Sequence, residues 1–193
     1  MVMPILDFDA TAIATIAFKF KDDEESIKAN CNGSISAETE TTTKSKTCGG
    51  QTVKEITKPT KINLTVEAHL PVEILRRVMG LKQDAKIKRG IYSYGKGSRG
   101  EQFGLSAELV DEFEGNSKLI AFLRVASTAG LTFTIDSTED EISMFELTAT
   151  VYEDDLGYWY HEVMEDELPA GLTKDKWLTS LTAEDLQATS VVK

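Results

Sequence analysis

The chain has 193 residues, 32 of them acidic and 21 basic, which gives a formal net charge of −11. This length suits one domain whose hydrophobic core needs neither disulfides nor metal ions. The acidity argues against unspecific binding to the phosphate backbone of nucleic acids, and the longest apolar stretch, residues 10–20, is about half as long as a helix that crosses a bilayer.

The N-terminal segment lacks the features of a secretory leader, because residues 1–4 contain no Lys or Arg and two aspartates precede the apolar stretch. We therefore expect a protein made and used in a reducing cytoplasm, with Cys31 and Cys48 as structural thiols. The alternative is a disulfide, because the segment between the two cysteines is expected to fold back around Glu40 and bring them face to face across a hairpin. A zinc site is not expected, because both histidines stand apart from other ligands.

Alternation of apolar and polar residues, which predicts half-buried strands, dominates the chain. Its clearest instance is residues 62–70, which are apolar at every second position. The other apolar sets are Ile16, Phe18 and Phe20; Ile27, Ala29 and Cys31; Phe103, Leu105, Ala107 and Leu109; Leu119, Ala121, Leu123 and Val125; Leu131, Phe133 and Ile135; and Phe145, Leu147, Ala149 and Val151. The pattern predicts a mainly β fold, a sandwich or barrel of two antiparallel sheets.

Two segments between the strands stand out. Residues 39–47 are rich in Ser, Thr and Lys, and we expect a long polar loop or hairpin tip with a function of its own. Residues 71–80 predict one short helix, because Pro71 suits a first position and Gly80 can end the helix. We expect this helix to flank the sheets.

The pattern changes near the C terminus. Thr173 and Thr182 are suited to cap two short helical turns. We therefore divide the chain into a β-sandwich domain, residues 1–171, and a C-terminal extension or arm, residues 172–193.

No motif in the chain predicts catalysis. Residues 95–100 match G-x-G-x-x-G, but the strand-like alternation after them lacks the helix N terminus that would bind a phosphate. Four acidic clusters lack the spacing of a calcium loop. His161 lies among aromatic residues and is expected to be a strand residue rather than a base. We expect no enzyme activity, no cofactor and no metal.

Charge is distributed unevenly along the chain. Residues 76–99 contain eight basic residues and one acid, a net charge of +7, so the remainder carries −18. Residues 125–173 contain twelve acids and no Lys or Arg. Either both regions are simply solvated, or the basic segment of one copy contacts the acidic half of the next and closes a ring or extends a stack. The candidate contact residues are Lys86, Lys88, Arg89, Glu153, Asp154 and Asp155.

Five stretches of sequence form an ordered set that points to a family. They are LPVEILRRVMGL at 70–81, GIYSYG at 90–95, ELVDEF at 108–113, KLIAF at 118–122 and FELTAT at 145–150. Together they resemble the major tail tube proteins of long-tailed bacteriophages, especially siphovirus-type phages with non-contractile tails that infect Gram-positive bacteria. The resemblance extends over residues 27–167 and leaves residues 172–193 without a counterpart.

The resemblance implies a structural virion protein. Tail tube proteins have a two-sheet β-sandwich with a flanking helix, and they form hexameric rings that stack around a tape-measure protein and later conduct DNA into the host. A long loop between early strands bridges consecutive rings, and residues 39–47 occupy that position here, which adds Thr41, Thr43, Lys44 and Lys46 to the candidate contacts. The implied partners are further copies of the chain, the tape-measure protein in the lumen, and the tail terminator and distal tail proteins. The implied location is the phage tail, with assembly in the host cytoplasm and no membrane contact.

The acidity of the chain fits a DNA conduit, because negative charges in a lumen repel phosphates and let DNA pass without binding. Three alternatives stay open. The first is the tube protein of a phage-like bacteriocin or injection particle. The second is a β-sandwich module that binds a ligand through Tyr158, Trp159 and Tyr160. The third is an enzyme whose acidic site includes the Glu153 or Glu165 cluster.

Overall fold

The computed structural model describes residues 7–29, 31–48, 51–132 and 144–188. Antiparallel strands make up nearly half of this part of the chain: β1 (Ala12–Phe20), β2 (Ile27–Lys28), β3 (Cys31–Cys48), β4 (Gln51–His69), β5 (Gln102–Asp111), β6 (Asn116–Ser127), β7 (Phe145–Val151) and β8 (His161–Met164). The helices are α1 (Val72–Met79), a 3₁₀ turn at Glu165–Glu167, α2 (Lys174–Thr179) and α3 (Ala183–Leu186). The predicted mainly β class is confirmed.

The strands form one hydrogen-bonded sheet in the order β2-β1-β5-β6-β7-β4-β3, with β8 also beside β6. We expected two separate sheets, but three residue pairs between β6 and β7 join the two layers: Val125 with Val151, Ala126 with Thr150 and Ser127 with Ala149. The sheet folds over so that both layers share one core. That core contains Ile16, Phe18 and Phe20 of β1, Leu64, Val66 and Ala68 of β4, Phe103, Leu105 and Ala107 of β5, Ile120, Phe122 and Val125 of β6, and Leu147, Ala149 and Val151 of β7.

Strand β6 is buried on both faces. The alternation placed Leu119, Ala121, Leu123 and Val125 on one face, but the structure divides this set. The register between β5 and β6 shifts, because Phe103 pairs with Val125 whereas Leu105 pairs with Phe122. A one-residue shift moves side chains to the opposite face, so Val125 lies in the main core while Leu119 and Ala121 lie on the outer side.

Helix α1 begins and ends where the sequence predicts. Pro71 precedes it, and Gly80 follows it with φ +73°, a left-handed conformation that favours glycine. A Cβ at Gly80 would also lie 2.4 Å from the backbone carbonyl carbon of Arg99. Ile74 and Val78 are buried in the main core, so the helix packs on the folded sheet as expected.

The C-terminal extension packs against the outer face of β6. Thr173 accepts a hydrogen bond from the Lys176 amide at 3.2 Å, and Thr182 forms a capping box with Asp185, so both predicted caps are confirmed. Trp177 is 2% exposed, and its Nε1 donates to the carbonyl of Ile120 at 3.1 Å. The buried residues of this layer are Leu119, Ala121, Leu172, Trp177, Leu178 and Leu181. Residues 172–188 therefore form a layer of the body rather than a free arm.

The two cysteines lie at opposite ends of β3, so the expected turn around Glu40 is wrong. Strand β3 runs unbroken from Cys31, opposite His69, to Cys48, opposite Gln51. At strand spacing this separates the cysteines by about 55 Å, which excludes a disulfide between them within one chain. Residues 37–43, around Glu40, contain four β-branched threonines and no Gly, Pro, Asn or Asp, which favours a continuous strand. Cys48 is a free, exposed thiol.

The predicted strand through Leu131, Phe133 and Ile135 lies largely outside the described residues. No helix in the described ranges is long and apolar enough to cross a membrane.

Candidate assembly surfaces

Strands β3 and β4 extend beyond the folded sheet as a two-stranded ribbon, defined here as residues 41–48 and 51–60. Strand β7 pairs with β4 only from Ile62 to Ala68, so before Ile62 the sole described partner of β4 is β3. The ribbon is about 30 Å long at strand spacing. Every described side chain in it is exposed, including Val53 and Ile56, which are 57% and 59% exposed. Segment 39–47, expected as a loop, is therefore part of a strand.

The two faces of the ribbon differ in chemistry, because residues directly opposite in an antiparallel pair share a face. On one face Thr43 lies opposite Thr57, with their hydroxyl oxygens 2.8 Å apart. We call this the threonine face; its pairs are Thr41 with Pro59, Thr43 with Thr57 and Ser45 with Glu55. We call the other the lysine face; its pairs are Thr42 with Lys58, Lys44 with Ile56 and Lys46 with Lys54.

The positive charge of the lysine face is not compensated within the described part of the chain. Lys46 and Lys54 lie directly opposite each other, an arrangement that destabilises a strand pair. None of the four lysines on this face forms an ion pair with a described residue. The next lysine, Lys61 at the base of the ribbon, does have a partner, Glu40, at 3.1 Å. Hydrogen bonds from Asn63 and Lys61 lower the pKa of Glu40.

The structure places the four predicted contacts of this segment on the two faces of the ribbon. Thr41 and Thr43 lie on the threonine face, and Lys44 and Lys46 lie on the lysine face. The sequence interpretation missed Lys54, Ile56 and Lys58 on β4. Their spacing, every second residue, would have placed them on one face of a strand, and Gly49-Gly50 is the sequence's own turn signal between β3 and β4.

The predicted basic contacts Lys86, Lys88 and Arg89 lie on an exposed loop, residues 81–100, which we call the basic loop. Its six cations form no ion pair with described residues; they are Lys82, Lys86, Lys88, Arg89, Lys96 and Arg99. Apolar groups accompany them: Ile91 is 50% exposed, and the ring of Tyr92 lies 3.9 Å below the Arg76 guanidinium. The N-terminal end of β4 forms part of the ribbon, and its C-terminal end leads to α1 and then to the basic loop. The lysine face and the basic loop are therefore separate basic surfaces.

The predicted acidic contacts divide into two exposed residues and one internal residue. Glu153 and Asp155 lie on the surface, whereas the Asp154 side chain is only 4% exposed. Asp154 accepts hydrogen bonds from the amides of Leu156 and Tyr158 at 2.9 and 3.0 Å and lies 2.6 Å from Nε2 of His161. Burial opposes its ionisation, but these three partners together lower the pKa of Asp154. The carboxylate of Asp154 is therefore occupied by hydrogen bonds within the chain and does not face solvent, unlike those of Glu153 and Asp155.

The aromatic residues before β8 do not share one surface. The Tyr158 ring is 60% exposed and meets His161 edge to face at 5.8 Å. Trp159 packs against the main core. The Tyr160 ring packs on Phe122 at 5.3 Å, and burial, with a hydrogen bond to Glu162, raises the pKa of its hydroxyl. His161 opens strand β8, as predicted.

The outer surface of the β3-β4-β7 layer is polar and acidic. Glu67 and Glu146 lie directly opposite each other, and Ser34 donates to Glu67 at 2.9 Å. We call this surface the acidic face; its outward residues are Ser34, Ser36, Glu38, Asn63, Thr65, Glu67, Glu146 and Thr148. None of these residues is a Lys or Arg, and the next pair along the same side, Glu40 and Lys61, is an ion pair at 3.1 Å. Within the described ranges no group of His, Cys, Asp and Glu is arranged to hold a metal ion.

Comparison with known proteins gives weak structural similarities and no family. No family model matches the sequence, and no curated protein is similar to it. Among solved structures, the chain is similar to a chain of the anti-feeding prophage baseplate, with 11% identity over 84% of this chain and 97% of that chain and a TM-score of 0.47. It is also similar to a chain of the anti-feeding prophage tube-terminating cap, with 11% identity over 84% and 95% of the two chains and a TM-score of 0.45. The resemblance to tail tube proteins of Gram-positive phages therefore stays a prediction from the residues.

Proposed function

We propose that this protein is a structural subunit of a phage tail or of a phage-like injection particle. It assembles with further copies of itself into hexameric rings that stack around a tape-measure protein, and it meets the tail terminator and distal tail proteins at the ends of the stack. Its role is structural rather than catalytic, and its place is the virion or particle. The observation that carries the proposal is the ribbon, a fully exposed strand pair that extends beyond the folded sheet and has four lysines on one face without a described ion-pair partner.

The ribbon supports self-assembly because it has little reason to be stable alone. A two-stranded hairpin is marginal in water, and this one adds four unpaired lysines on a single face. Docking of the lysine face on another molecule would bury the exposed side chain of Ile56 and supply anions for the lysines. The ribbon and its docking surface are different patches, so the contact is heterologous and leads to rings or stacks.

A second contact follows from the basic loop. Lys86, Lys88 and Arg89 are exposed and have no described counter-ions, and Glu153 and Asp155 are exposed carboxylates. We assign these two groups to opposite sides of a copy-to-copy interface, where complementary charge guides encounter and fixes register. Asp154 is left out because its carboxylate is internal.

The acidic face supports the proposed passage of DNA. It carries Glu38, Glu67 and Glu146 and no cation, so a lumen lined by it would repel phosphates. We assign this face to the lumen. Purified assemblies should then retain no DNA at moderate salt, and tight binding would contradict the assignment.

Negative-stain microscopy and sedimentation velocity of the purified chain test the proposal. We expect rings or tubes whose formation is weaker at about 0.5 M salt than at about 0.05 M, because salt screens exposed charges. The variant carrying Lys86→Glu, Lys88→Glu and Arg89→Glu should associate less than the wild type. A chain that stays monomeric at every concentration and salt level would contradict the proposal.

A further inference from the structure

The turn between β5 and β6 presents one aromatic side chain to solvent in a fixed geometry. Phe113 is 81% exposed, more than any other large hydrophobic residue in the described ranges. Asp111, itself buried, accepts hydrogen bonds at Oδ1 from the amides of Phe113 and Glu114 at 2.9 and 3.3 Å. The Gly115 amide donates to the Asp111 carbonyl at 2.8 Å, and Gly115 has φ +72°. The turn is therefore held in shape before any partner arrives.

Both neighbours of this phenylalanine are acidic. Glu112 and Glu114 are exposed, and neither forms an ion pair with a described residue. The Glu112 amide donates to Thr11 Oγ1 at 3.0 Å, which ties the turn to the chain before β1. The turn thus presents an apolar knob between two negative charges.

The lysine face of the ribbon has the complementary pattern. Ile56 is 59% exposed and lies between Lys54 and Lys58 on the same face of β4. Lys44 lies directly opposite it on β3. The centre of this face is apolar and its surroundings are positive.

We propose that the Phe113 knob of one copy docks on Ile56 of the ribbon of a second copy, with Glu112 and Glu114 beside the surrounding lysines. This inference rests on the proposed self-assembly and names one of its contacts. Within one chain the knob and the lysine face both stay exposed, so their contact is intermolecular. It joins a central aromatic anchor to a rim of opposite charges, the arrangement that concentrates binding energy in few residues. A nucleic acid would satisfy the lysines but would leave Ile56 and Phe113 without a role.

Site-directed cross-linking tests the contact. Two pools are made in a Cys31→Ser/Cys48→Ser background, one with Phe113→Cys and the other with either Ile56→Cys or Thr57→Cys. Thr57 is the matched control, because it adjoins Ile56 in sequence but lies on the threonine face. After the pools are mixed and mildly oxidised, we expect about tenfold more mixed disulfide with Ile56→Cys than with Thr57→Cys, because a disulfide requires close Cβ atoms. Equal yields, or no mixed disulfide, would overturn the proposal.

Substitutions at the same positions give an independent measure. Phe113→Ala should weaken self-association about 30-fold, as expected for a central aromatic anchor, and leave the unfolding of the monomer unchanged. The variants Glu112→Lys/Glu114→Lys and Lys54→Glu/Lys58→Glu should each associate poorly alone and recover when mixed.

The outcomes separate the two proposals. Assembly without the Phe113–Ile56 cross-link would show this contact to be wrong and leave the proposed function standing. Absence of both would contradict both. Protection of Lys54 and Lys58 by added DNA, without recovery in the mixed variants, would assign the lysine face to nucleic acid and overturn this contact.

Discussion

Two regions of the molecule use the same pair of strands in different ways. Where β7 covers β4, from Ile62 to Ala68, buried and exposed residues alternate and the layer contributes to the core. From Gln51 to Thr60 every residue of β4 is exposed. In the body, ion pairs join different elements: Lys118 lies 2.7 Å from Glu162, and Arg77 bonds Asp23 and Glu101. In the ribbon, four lysines have no described ion-pair partner. The body has a core of its own, whereas we propose that the ribbon is stabilised by a partner.

The sharpest contrast between body and ribbon is expected in the core. Phe18 is fully buried, with its ring 5.4 Å from that of Phe103. Phe18→Ala should lower the free energy of unfolding by about 3–5 kcal/mol, because it removes buried surface and leaves a cavity. Ile56→Ala in the ribbon should change it by less than about 0.5 kcal/mol. Urea unfolding of both variants as monomers measures this difference. A similar loss of unfolding free energy in Phe18→Ala and Ile56→Ala would contradict the distinction between body and ribbon.

The ion pair between Lys174 of the C-terminal layer and Glu108 of β5 should make the next largest contribution to the free energy of unfolding. Lys174 Nζ lies 2.5 Å from the almost buried carboxylate of Glu108 and 3.1 Å from Glu165. Lys174→Met should cost about 1–2 kcal/mol, less than a fully buried pair because Lys174 is a third exposed. Lys44→Met, the matched change in the ribbon, should cost nothing measurable.

The pH dependence of that difference has a defined sign. The hydrogen bond to Glu108, and then that to Glu165, raise the pKa of Lys174 above its ordinary value. The stabilisation of the folded chain by the Lys174 ion pairs is therefore fully present below the ordinary lysine pKa, about 10.4. It is lost as the pH rises through the raised pKa of Lys174. Unfolding of wild type and Lys174→Met should converge in strong alkali. A constant difference there would contradict the assigned pair.

A smaller effect is expected at Asp154, which closes the turn before β8. Asp154→Asn should lower the free energy of unfolding by about 1 kcal/mol near pH 7, because it weakens hydrogen bonds to a charged acceptor. The pKa of Asp154 is lowered, so its contribution is present above the ordinary aspartate pKa, about 3.9, and is lost as the pH falls through the lowered value. Unfolding curves at pH 7 and in acid measure this. Asp155→Asn, on the exposed neighbour, should show no such difference.

Local signals in the sequence predicted the elements that depend on local chemistry. Helix α1 lies between Pro71 and Gly80, and the last two helices follow Thr173 and Thr182, because proline, glycine and capping hydroxyls act within one helical turn. The half-buried strands were also evident, since one apolar face against the core leaves an alternating pattern.

The rest of the fold depends on contacts that alternation does not encode. Strand β3 continues past Glu40 although both of its faces are polar there, so no apolar pattern marked its extent or register. The docking of Trp177 on the outer face of β6 was missed, although the unbroken apolar run 119–123 is typical of a strand buried on both sides.

The candidate site was predicted only in part for a similar reason. Lys44 and Lys46 were identified, but their alignment with Lys54 and Lys58 depends on where the hairpin turns. Sequence alone does not distinguish Asp154 from Asp155, because both are aspartates in the same acidic cluster. The geometry of the turn buries the Asp154 side chain and leaves Asp155 exposed.

A variant without the ribbon shows whether the body folds alone and whether assembly requires the ribbon. Strands β3 and β4 are paired at Glu40 and Lys61, so residues 41–60 can be replaced by an Asn-Gly turn that suits a two-residue hairpin. The unfolding free energy of the body should change by less than about 0.5 kcal/mol, because ribbon side chains do not contribute to the core. Sedimentation velocity and microscopy of this variant beside the wild type should show rings or tubes from the wild type and monomers from the variant. Equal assembly of the wild type and the variant would contradict the proposed role of the ribbon in self-association. A variant that no longer folds would contradict the independence of the body from the ribbon.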